Sequence, residues 1–76
     1  MARLITYDKQ GKIVEVKLFT CAHPAIFAGY RSGYDFHVVE NEGDPPALFW
    51  NGIHEHIFRP MFAIKMRREM RRRLGY

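Results

Sequence analysis

From Arg3 to Thr20 the chain alternates between apolar and polar residues in steps of two, and the alternation is interrupted by Asp8-Lys9-Gln10-Gly11. This pattern constrains the fold more than any other part of the sequence. Arg3 to Tyr7 reads as one strand. Lys12 to Thr20 reads as a second, with Val14, Val16 and Leu18 on one face and Glu15 and Lys17 on the other. The interruption supplies turn chemistry, with Gly11 free to take a positive φ, so the chain is expected to open with a β-hairpin.

Thr20 to Ala28 breaks the alternation and reads as a short helix or an irregular loop; Pro24 suits the first turn of such a helix, with Ile26 and Phe27 on its apolar side. Gly29-Tyr30-Arg31-Ser32-Gly33 then reads as a connection, and Tyr34 to Glu40 as a third strand with Phe36 and Val38 on one face. The run Asn41-Glu42-Gly43-Asp44-Pro45-Pro46 ends that strand. Ala47 to Arg59 supports two readings. Asn51-Gly52 between Ala47–Trp50 and Ile53–Phe58 is a hairpin signal, whereas Trp50, Ile53, Ile57 and Met61 also fall at helical spacing with Asn51 as an N-cap. The hairpin is carried forward as the expectation.

Pro60 to Leu74 predicts a terminal helix that Gly75 closes. At about 100° per residue, Phe62, Ala63, Met66, Met70 and Leu74 share one side, and Lys65, Arg67, Arg68, Arg71 and Arg72 the other. Arg73 intrudes on the apolar side, Ile64 sits on the basic side, and Lys65, Glu69 and Arg73 are spaced for i,i+4 pairing. The expected class is therefore α+β: a small antiparallel sheet of three to five strands, a short helix or an irregular loop after the second strand, and a basic amphipathic helix packed on one sheet face. The 76 residues form one domain, since the chain is too short for a second core.

A hydrophobic fraction of 47% excludes a disordered polymer. A domain this small buries only roughly 60% of the surface its unfolded chain exposes, so a metal, a partner or self-association would add stability. Charge precedes any apolar run at the N-terminus, so neither a signal peptide nor a transit sequence is expected. No apolar run approaches the roughly 20 residues of a membrane span. One cysteine, Cys21, excludes an internal disulfide and fits a reducing, cytoplasmic setting; its residue type predicts burial.

Charge is unevenly placed. Lys65, Arg67, Arg68, Arg71, Arg72 and Arg73, set against Glu69, give the terminal helix a local charge of +5 on a chain whose total is +4. An acidic stretch, Asp35, Glu40, Glu42 and Asp44, lies elsewhere, and the sequence leaves open whether it pairs with the helix or meets a partner. Arginine forks suit phosphates, so the helix face points to nucleic acid or an acidic protein surface; the plainer reading is a solvated outer face. Tyr30 and Arg31, flanked by glycines, have a composition that stacks on unpaired bases or anchors a partner, and equally one that caps a core edge.

Cys21, His23, His37, His54 and His56 supply ligand types for zinc, but the Cys21-x-His23 and His54-x-His56 spacings are not those of an established zinc motif, and no metal or other cofactor is expected. Pairing Cys21 with a histidine, or His54 with Glu55, lacks an orienting group or an oxyanion loop, so the expectation is not an enzyme. The leading expectation is a non-catalytic module that contacts nucleic acid, or an assembly that processes it, through Lys65, Arg67, Arg68, Arg71 and Arg72, with Tyr30 and Arg31 as additional contacts. The alternatives are a small inhibitor or adaptor, of the kind phages encode, that blocks a surface of a larger machine, and a subunit of a homo-oligomer.

Overall fold

The computed structural model describes residues 1–51 and 60–76, with side chains in the second segment from Arg67 onward. Four strands, β1 (Ala2–Tyr7), β2 (Ile13–Phe19), β3 (Phe36–Asn41) and β4 (Ala47–Trp50), accompany two helices, α1 (Ala22–Arg31) and α2 (Pro60–Leu74). The strands form one sheet in the order β2-β1-β3-β4 with every neighbouring pair antiparallel. This is the expected α+β class with four strands. The second arm of the anticipated Asn51-Gly52 hairpin, with His54, Glu55 and His56, lies outside the described residues. No described helix is long and apolar enough to cross a membrane.

The opening hairpin is held by Asp8. Its carboxylate accepts the N–H of Gln10 at 2.9 Å and of Lys12 at 3.0 Å, while the Asp8 N–H donates to the Lys12 carbonyl at 2.9 Å. A register shift between Thr6 and Tyr7 pairs Thr6 with Glu15 and Tyr7 with Ile13. Val14 is thus the extra residue of a bulge at the turn end of β2, and Glu15 to Phe19 pair regularly with β1 beyond it.

Successive strand residues point to opposite faces, and the registers assign each face its own helix. Ala2, Leu4 and Val39 pack with Ala25 of α1, flanked by Ala22, Ile26 and Phe49. Ile5, Tyr7, Phe36 and Val38 pack on the other face with Met70 of α2, flanked by Leu48, Trp50 and Leu74. The sheet is a middle layer between the two helices.

Helix α1 runs further than its sequence suggests. Gly29, Tyr30 and Arg31 are helical, and the connection starts at Ser32. The glycine is present for close approach: a Cβ there would lie 2.2 Å from the His37 ring, so only Gly lets α1 settle on β3 at this point. Beyond the helix, the Asn51 amide donates to the carbonyls of Gly29 at 3.0 Å and Tyr34 at 2.8 Å, tying the end of α1 to the sheet. Cys21 departs from the burial expected of its type. It is exposed, because it takes the extended N-cap position of α1 rather than a place on the apolar face.

Candidate functional site on the terminal helix

Met70 fixes the orientation of α2. It is 1% exposed and sits among Ile5, Tyr7, Phe36 and Val38. Measured around the helix from Met70, Arg67 and Arg71 lie at about 60° and 100°, and Arg68 and Arg72 on the far side at about 160° and 200°. All four are exposed. The helix closes as expected, with Gly75 at a φ of 81° and the N–H groups of Gly75 and Tyr76 both donating to the Arg71 carbonyl at 2.9 Å. The Tyr76 hydroxyl reaches that of Tyr7 at 2.9 Å and pins the helix end to β1.

The other flank of α2 is electrostatically spent. Glu69 accepts hydrogen bonds from Arg72 at 2.6 and 3.2 Å and from Arg73 at 2.8 Å. These two guanidinium groups hold the Glu69 carboxyl below the usual range, first through the hydrogen bond from Arg72 and then through that from Arg73. Arg73 also lies over the Trp50 ring at 5.3 Å. This accounts for the residue that intrudes on the apolar side of the helix: it covers the edge of the core.

Arg67, Arg68 and Arg71 differ. No carboxylate among the described residues pairs with any of them. Arg67 and Arg71 line a shallow cleft beside β4, floored by Pro45, Pro46 and Leu48. The acidic stretch does not neutralise this face in the described structure. Glu40 pairs with Arg3 on the neighbouring strand, with Arg3 Nε to Oε1 at 2.8 Å, and Asp44 accepts from Asn41 at 3.2 Å.

Of the predicted contacts, the structure brings Arg67, Arg68, Arg71 and Arg72 onto one helical arc. Lys65 lies in the same helix, with its side chain outside the described residues. Tyr30 and Arg31 do not join them, because α1 packs on the opposite face of the sheet. Tyr30 is placed by the core, edge-on to His37 at 4.8 Å and to Phe49 at 5.7 Å, and burial raises its pKa. Cys21 and His23 sit exposed at the start of α1, whereas His37 is fully buried beneath the helix. Among the described residues no three metal-ligating side chains converge.

One feature of the surface went unread in the sequence. β2 is open from Ile13 to Leu18: Leu18 is 66%, Ile13 60%, Val16 50% and Val14 42% exposed. No protein-family model, curated protein or solved structure matches this chain.

Proposed function

We propose that the chain is a non-catalytic binding module that holds nucleic-acid backbone through the arginine face of α2. One observation carries this reading: Arg67, Arg68 and Arg71 stand exposed without a carboxylate among the described residues, on a helix whose one acidic residue, Glu69, is already shared by Arg72 and Arg73. Three adjacent guanidinium groups of one sign repel one another, a cost that a solvated face bears in return for solubility and that a bound polyanion removes. Phosphates along a nucleic-acid strand relieve that repulsion and release counterions. Phosphate contacts position a protein on the backbone and carry no sequence information of their own, so the module is assigned no sequence preference. We place the module in a reducing compartment, the cytoplasm, which suits the exposed Cys21 thiol.

Titration with single- and double-stranded oligonucleotides at several salt concentrations tests the reading. Three phosphate contacts give a slope of log K against log salt of roughly −2.7 on duplex, and replacing Arg67, Arg68 and Arg71 together by Gln flattens it toward zero. An absence of binding at low salt rejects it. Stoichiometric capture of an acidic protein that excludes oligonucleotide would move the assignment to an inhibitor or adaptor.

A further inference from the structure

We infer that the outer edge of β2 pairs with β2 of a second copy, antiparallel about a two-fold axis at Val16, and joins two sheets of four strands into one of eight. The edge is available. β2 is the end strand of the sheet, and no described segment pairs with its outer side. Proteins usually protect such an edge with proline, inward charge or a covering element. The opposite edge strand, β4, is preceded by Pro45-Pro46; β2 carries no proline, its charges Glu15 and Lys17 lie on one face, and its other face bears an exposed apolar strip. The bulge at Val14 stays at the turn end and leaves Glu15 to Phe19 regular.

The charge pattern selects the occupant. With Val16 opposite Val16, each Glu15 faces the partner's Lys17, and each Val14 faces the partner's Leu18. Within one chain the Lys17 ammonium already lies 3.4 Å from the Glu15 carboxylate, so the joined strands would place the four charges in alternation on one face and the apolar strip on the other. Moving the axis to Glu15 or to Lys17 sets like charges against each other. Only the axis at Val16 sets each Glu15 opposite a Lys17, a complementarity that a second copy satisfies and an arbitrary partner does not. The axis runs perpendicular to the sheet, so both copies of α2 lie on the same face. The pairing rests on β2 alone and does not depend on what α2 binds.

The test is the mass of the chain in solution across concentration, measured by sedimentation velocity, with circular dichroism to monitor the fold. The expected result is a reversible dimer of twice the 9.0 kDa chain, with a dissociation constant on the order of 1–100 µM for an interface of this modest extent. Val16→Lys sets two like charges on the axis and should yield monomer with the fold intact. Glu15→Lys and Lys17→Glu should each weaken the dimer by tenfold or more, and the double exchange Glu15→Lys with Lys17→Glu should recover it to within about threefold of the parent. A monomer at every concentration overturns the proposal and leaves the edge to a different partner. A dimer indifferent to Val16→Lys, or one the double exchange fails to restore, overturns it as well.

Discussion

His37 is fully buried between the Phe49 ring, stacked at 4.6 Å, and the edge of Tyr30. Neither of its nitrogens has a hydrogen bond of normal geometry among the described residues, although the nearby Asn51 side chain favours the charged form somewhat. Burial dominates and lowers its pKa from 6.5 to about 4. The unfolded chain therefore takes up a proton near 6.5 and the folded chain near 4, so between those values the unfolded state binds more protons. The stability that neutral, buried His37 contributes is fully present above pH 6.5 and is lost as the pH falls toward 4, by up to about 3 kcal/mol. Urea unfolding at a series of pH values reads this loss, and the ring-proton shifts of His37 should titrate with a midpoint near 4. A midpoint near the ordinary value would show that the ring is solvated.

At the scale of elements, α2 has one flank of exposed arginines, Arg67, Arg68 and Arg71, and a second on which Glu69 draws Arg72 and Arg73 to itself. Glu69→Gln frees both guanidinium groups and removes the local negative charge. Duplex affinity at low salt should then rise about two- to threefold, with a salt slope steeper by roughly one, while the melting temperature changes little because exposed ion pairs contribute little to folding. Unchanged affinity would mean that the arc beyond Arg67, Arg68 and Arg71 takes no part. The hairpin and α2 were legible from sequence because their signals are local: a period of two broken by Asp8 to Gly11, and a period near 3.6 closed by Gly75. The extent of α1 was not, since Gly29 resembles a breaker and its reason, the ring of His37 on a strand eight residues later, is tertiary. For the same cause Tyr30 and Arg31 looked like companions of the arginine face, when the sheet stands between them. The alternation in β2 told which residues share a face, but not that the strand would end at the margin of the sheet with that face uncovered.

Taken whole, the molecule is a sheet between two helices in which β1 lies between β2 and β3. Its pairing with β2 joins residues close in sequence, whereas its pairing with β3 joins residues about thirty to forty positions apart, from Tyr7–Phe36 to Ala2–Asn41. Closing the shorter loop costs less entropy, so the hairpin is expected to form ahead of the rest of the sheet. From that moment the margin of β2 is presented to every other chain in the vessel, before either helix has docked. Refolding therefore becomes a race between completing one's own sheet and meeting a neighbour's hairpin. Recovery after dilution from urea should fall as the protein concentration rises, and Val16→Lys should restore it at high concentration while leaving recovery at low concentration unchanged. Equal recovery at all concentrations would separate the native edge from the hazards of folding.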